Sequence, residues 1–142
     1  MDRDEMLLAA LAAGGENASF TPVQVQKFFF LLDREVPHLV GGPHFNFKAY
    51  DYGPFDRAVY DGLEVLAQSG LALVSNTGRY RLYGLSQTGF QRGANSLSQL
   101  PDNAKDYIVS LASWVRSLSF EQLVASVYNR YPDMKVNSVF RG

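Results

Sequence analysis

Residues 21–37 constrain the fold more than any other stretch of the chain. Thr21-Pro22-Val23-Gln24 writes a helix start: a threonine that caps, a proline where the missing N–H costs nothing, and a glutamine placed to reach back to the cap. Val25, Phe28, Phe29, Leu32 and Val36 then recur at helical spacing, and Pro37 stops the run, so a helix is expected over 22–36. Within it, Phe28-Phe29-Phe30 cannot all face one core, because successive helical residues point about 100° apart. At least one of them, with Phe30 the candidate, is expected to meet another element or a partner protein.

The remaining punctuation divides elements rather than domains. Gly14-Gly15, Gly41-Gly42-Pro43, Asn76-Thr77-Gly78 and Pro132 are the strongest breaks, and no repeat or low-complexity segment intervenes. Asp4 can cap a first helix over 4–13, with Met6, Leu7, Ala10 and Leu11 on one face. Phe45 to Tyr50 alternates apolar and polar residues and reads as a short extended segment. A helix over 55–68 follows, starting near Pro54 or Asp56 and stopped by Gly70. A hairpin over 71–85 turns at Asn76-Thr77-Gly78. Ser86 caps a short helix containing Phe90. Ala104, Ile108, Leu111, Val115 and Leu118 form the apolar stripe of a helix over 102–118, and Ser119 with Gln122 caps a last one over 120–131.

With 142 residues, one domain is expected, with its core at 4–132 and a loose tail at 133–142. The class is mainly α with a small β-hairpin (α+β). The order helix, helix, extended segment, helix, hairpin, helix is that of a winged-helix-like core, here with two additional C-terminal helices.

Composition narrows the chemistry. Thirteen Lys and Arg against 14 Asp and Glu leave a net charge of -1, without the positive field used to grip a phosphate backbone. The absence of cysteine excludes disulfides, thiolate nucleophiles and thiolate-bound metals. No apolar run reaches the roughly 20 residues of a membrane span, and the acidic start Met1-Asp2-Arg3-Asp4-Glu5 is unlike a signal peptide, so a cytoplasmic location is expected. His38 and His44, with Asp33, Glu35 and Asp51 nearby in sequence, match no standard ligand spacing and read as surface or turn residues. No phosphate-binding glycine motif or nucleophile elbow is present. The chain is therefore expected to be no enzyme and to need no cofactor or metal.

Two binding surfaces remain. A DNA reading would use Arg57 on the third helix and Arg79 and Arg81 on the hairpin, but Asp56, Asp61 and Glu64 would face the same phosphates. The arginines also fit a solvated edge strand, where charge deters aggregation. The protein reading rests on the aromatics Phe45, Phe47, Tyr50, Tyr52, Phe55 and Tyr60. These either fill the seam between the extended segment and the bundle or, at Phe30, Tyr50, Tyr52, Phe55 and Tyr60, anchor a partner.

Several of these segments resemble one prokaryotic family. Val25-Gln26-Lys27-Phe28-Phe29-Phe30-Leu31-Leu32 is similar to an "LQKLLYLL" helix, and Phe45 through Tyr50-Asp51-Tyr52-Gly53-Pro54-Phe55 to an "F-x-F-x-x-Y-x-Y-G-P-Y-S" segment. Val59 to Leu66 looks like that family's next helix, Leu85-Ser86-Gln87-Thr88-Gly89 like its "L-T-x-x-G", and Leu123 to Pro132 like its closing "L-x-x-x-V-Y-x-x-Y-P". Together they cover residues 21–132 and resemble the YwgA-like and SocA-like, or Panacea, group. The resemblance implies a helical module acting by protein contact, as an antitoxin against a toxin or as an adaptor presenting a partner to a protease, with no catalytic residues. A homodimer is compatible with it. Asp56 stands where that group has serine, and the phenylalanine run stands where it has Leu-Leu-Tyr, which makes that face bulkier.

Overall fold

The computed structural model describes residues 1–140. It is mainly α with two small antiparallel hairpins, in the order α1 (Arg3–Ala12), α2 (Pro22–Glu35), α3 (Pro37–Val40), β1 (Lys48–Tyr50), β2 (Gly53–Phe55), α4 (Arg57–Gln68), β3 (Ala72–Asn76), β4 (Arg81–Leu85), α5 (Gln87–Ser98), α6 (Asp102–Ser117) and α7 (Phe120–Arg130), closed by a 3₁₀ turn at Pro132–Lys135. The α+β class expected from the sequence is what forms.

α2 runs through the middle. Every residue from Val25 to Asp33 is buried, which over more than two turns means that the helix is covered on all sides. The capping box at its start is complete, with the Gln24 amide bonded to Thr21 Oγ1 and the Thr21 amide to Gln24 Oε1. All three phenylalanines find cover. Phe28 stacks on Phe20, Phe29 meets Phe45, and Phe30 lies edge-on to Phe47 and Tyr131 at centroid distances of 5.6 and 5.1 Å. Of the two alternatives, another element or a partner, the first holds, and the expectation that Phe30 anchors a partner is corrected here. Phe30 is only 2% exposed, because the segment before β1 and the end of α7 close over it.

The polar residues among these nine have a common task. Gln26 bonds both the N–H and the C=O of Asp56 at 2.9 Å, Lys27 donates to the Pro54 carbonyl at 3.3 Å, and Asp33 accepts the amides of His44 and Phe45 at 2.8–3.0 Å. α2 thus pins the backbone of residues 44–56 from beneath. Its C-terminal end is fastened by Glu35, which accepts from the hydroxyls of Tyr107 on α6 and Tyr131 after α7 and pairs with Arg130 at 2.8 Å. Burial and the adjacent carboxylate push both tyrosines up to about 12.

Three expectations are revised by the structure, and one short element is added. The first helix is capped by Asp2, two residues earlier than Asp4, through the Glu5 amide. The extended segment is one arm of a hairpin, with Tyr50 opposite Gly53 and Lys48 opposite Phe55, so Pro54 sits in a strand and the next helix waits for its cap at Asp56. The short α3 was not legible. The tail is ordered through Phe140: Asn137 and Val139 donate to the carbonyls of Ala49 and Asp51, and Phe140 packs on Phe120 and Tyr128. Residues 141–142 of the expected loose tail lie outside the described residues.

β3 and β4 pair from Ala72–Leu85 to Asn76–Arg81, and Phe20 extends β4 through a two-way backbone bridge with Tyr83. α5 lies against α1 so closely that a β-carbon on Gly93 would stand 2.2 Å from the Leu8 carbonyl oxygen and 2.8 Å from Ala12 Cβ. Gly93→Ala should therefore reverse the usual helix preference. Where alanine ordinarily gains about 1 kcal/mol over glycine in a helix, a loss of roughly 2 kcal/mol or more is expected in urea unfolding, since α1 must move away. A stabilised variant would mean that the two helices do not meet there.

Candidate functional site

Pinning the ribbon over α2 leaves a cavity of about 600 Å³ beside it. One wall is the start of α2, from Thr21 to Lys27; the opposite wall is the start of α7, with Leu118, Ser119, Phe120 and Leu123. The hairpin β1–β2 and α4 supply Tyr50, Asp51, Tyr52, Gly53, Phe55 and Tyr60, and Tyr80 closes the side toward the second hairpin.

Four of the five aromatic candidates thus meet at one opening. Tyr50 and Tyr52 are 53% and 45% exposed, Phe55 and Tyr60 half-buried. Tyr50 stacks on Phe55 at 5.3 Å, Phe55 meets Tyr60 at 5.7 Å, Tyr60 lies parallel to Tyr83 at 5.6 Å, and Tyr52 packs edge-on to Phe120 at 5.2 Å. The inner members fill a seam while the outer ones line a mouth. Tyr60, whose hydroxyl donates to the Pro22 carbonyl at 3.4 Å, is pushed up to about 12 by burial. Phe30 belongs to a different side of α2 and takes no part.

The arginines do not assemble. Arg57 projects from α4 and pairs with Asp61 at 3.6 Å, and Arg81 is bound to Glu64, which ties β4 to α4 and balances its charge. Arg79 is exposed in the 77–80 loop without an ion pair among the described residues. His44 has its ring against the Val40 carbonyl and His38 faces solvent. No cluster of three His, Cys, Asp or Glu that could hold a metal occurs among the described residues.

What residue-by-residue reading passed over is the floor. Lys27 is 3% exposed, lines the cavity and forms no ion pair among the described residues, so burial alone lowers its ammonium from 10.5 to about 7. The signal was present: five consecutive apolar residues from Phe28 to Leu32 leave the helix no solvent face, so the lysine beside them has nowhere wet to go. Gly53, at φ +103°, sits over this amine, where a β-carbon would come within 3.2 Å of the Tyr128 ring and 3.4 Å of Lys27 Cε.

Comparison with family models and with curated proteins finds no match for the chain. Within the described residues, no helix is long and apolar enough to cross a membrane.

Two outcomes follow from the floor. Gly53→Val should lose roughly 1–3 kcal/mol in denaturant unfolding, from a positive φ that valine rarely adopts and from the contact with Tyr128. For Lys27 the folded value of about 7 lies below the unfolded 10.5, so between those values the unfolded chain binds the extra proton and stability rises with pH; the cost of burying the charge is fully present below 7. Lys27→Met removes that dependence. The melting temperature of the variant minus that of the wild type should fall as pH rises from about 7 toward 10.5, whatever constant offset comes from the Pro54 carbonyl losing its donor. A difference flat across this range would show an amine that stays charged and hydrated.

Proposed function

We propose that this chain is a non-enzymatic protein-interaction module, of the antitoxin or proteolytic-adaptor kind, acting in the cytoplasm and holding its partner at the mouth formed by Tyr50, Tyr52, Phe55 and Tyr60. The observation that carries this reading is that aromatics from a hairpin and a helix converge on an open cavity instead of closing it. Aromatic residues around a pocket that an apolar anchor can enter are the usual composition of binding hot spots. The similarity of residues 21–132 to the Panacea group points the same way. The partner would be a cognate toxin, or a substrate handed to a protease.

Specific DNA binding is the competing reading, and the electrostatics weigh against it. Of its three arginines, Arg57 and Arg81 already face carboxylates, and the net charge is -1.

Co-expression with the protein of an adjacent small reading frame, scored by growth and then by purified affinity, tests the proposal. Tyr52→Ala and Phe55→Ala should each cost roughly 1–3 kcal/mol of partner affinity, about 5- to 150-fold, while Arg79→Ala changes little. Each affinity is to be paired with a melting curve, because Phe55 also stacks between Tyr50 and Tyr60. Binding to duplex DNA that falls steeply with salt and is lost in Arg79→Ala, with Tyr52→Ala unaffected, would replace this reading with the regulator one.

A further inference from the structure

The cavity has more chemistry in it than an aromatic mouth requires. Most polar groups on its wall are spent: Thr21 and Gln24 on the capping box of α2, Ser119 on that of α7, and Gln26 on the Asp56 backbone. Among the buried polar side chains of the wall the exception is Lys27. An ammonium carries three N–H donors, and this one has a single acceptor, the Pro54 carbonyl, and no counter-ion among the described residues. Two further features favour negative charge at the same place. α2, of 14 residues, and α7, of 11, both begin at the cavity wall, presenting the positive ends of their dipoles to it. The rest of the lining is dominated by hydrocarbon and aromatic surface from Pro22, Phe55, Leu118, Phe120 and Leu123. The volume of about 600 Å³ falls in the range of small-molecule sites, roughly 300–1,000 Å³.

We propose that this cavity binds a small organic acid with an apolar body, an aryl- or alkyl-carboxylate, whose carboxylate pairs with Lys27 Nζ while its hydrocarbon lies against the apolar lining. A single buried amine with no arginine beside it suits one carboxylate better than a phosphate dianion, which calls for several donors. An acid and a partner's apolar anchor would compete for this one pocket, but binding of the free acid is measured without any partner, so the two readings fail separately.

Proton linkage follows. In the empty cavity desolvation holds Lys27 near 7; a bound carboxylate favours the ammonium, so binding above that pH takes up a proton and weakens as pH rises. The other ionisable groups lining the cavity are Asp51 of the β1–β2 turn, exposed at the rim, and Tyr60 of α4, with Tyr50, Tyr52 and Tyr80 at the opening; Tyr128 of α7 lies beside Gly53, and no histidine lines the wall. Among them only Lys27 has a value moved to near neutrality.

The test is calorimetric titration of the full chain with phenylacetate, phenylbutyrate and decanoate, each against its uncharged primary amide. At least one acid should bind about tenfold or more tightly than its amide at pH 7, with an affinity that falls about tenfold per pH unit above the Lys27 value and heats that depend on the buffer's ionisation enthalpy. Lys27→Met should lose that preference for the acid. The proposal is overturned if no acid outbinds its amide, if the preference survives in Lys27→Met, or if the affinity is flat with pH. Should Lys27→Met fail to fold, the amide comparison and pH profile of the wild type decide alone.

Discussion

The burial of α2 on every side is the constraint from which the remaining architecture follows. A helix in the open needs one apolar stripe; a helix enclosed by α6, α7, α4, β2 and β4 needs apolar residues all round, and Phe28 to Leu32 supply them. Enclosure then fixes how its polar residues behave. Gln26, Lys27 and Asp33 are almost wholly shielded from bulk water, and each bonds the backbone of residues 44–56, a stretch with little regular structure of its own. Gln26 and Asp33 are seven residues apart, two turns along one face, which sets the length of ribbon that can be held at both ends. The ribbon's hairpin and aromatic residues stand where they do because of those bonds.

The second dependence runs through the C-terminal helices. α6 and α7 are not appended to a finished core. Glu35 at the end of α2 draws Tyr107, Arg130 and Tyr131 together, and Tyr131 then covers Phe30. The same placement puts the first turn of α7 opposite the first turn of α2, and the space between them is the cavity. The chain after Pro132 completes the wall from behind, with Phe140 against Phe120 and Tyr128. A tail short of regular structure is ordered by the aromatic surface it meets, which explains why its composition gave no sign of order.

How much of this was legible depends on whether the signal was local. The capping boxes at Thr21 and Ser119 and the cap at Ser86 are chemistry between residues three apart, and they appear as read; the hairpin turn is displaced, because Asn76 pairs with Arg81 and Thr77 to Tyr80 form the loop. The pairing of β1 with β2 was missed because Gly53-Pro54 reads as a helix entry; the bond from Lys27 to the Pro54 carbonyl and the register Ala49 to Pro54 make it a strand instead, and both come from outside the motif. The same holds at the site. Tyr50, Tyr52, Phe55 and Tyr60 come together at the cavity because aromatics close in sequence stay close in a hairpin and the helix after it. Phe30 was misplaced because nothing local says that Tyr131, about a hundred residues on, will cover it, and the arginines looked free because Asp61 and Glu64 were counted as repelling phosphate and not as partners.

The three polar residues of α2 also differ in a way that bears on what the cavity is for. Gln26 makes two good hydrogen bonds, and Asp33 accepts from two backbone amides, which offsets part of the desolvation that raises its carboxyl and gives each a structural reason to be there. Lys27 makes one, at 3.3 Å, and its burial lowers the ammonium from 10.5 to about 7. A methionine of similar length would fill the same volume without that cost. Natural chains commonly keep an unfavourable buried group where it faces an opening and acts on what enters. The lysine is the member of the trio with the fewest bonds to set against its burial, and it shares the cavity wall with Gln26, whose amide is spent on Asp56.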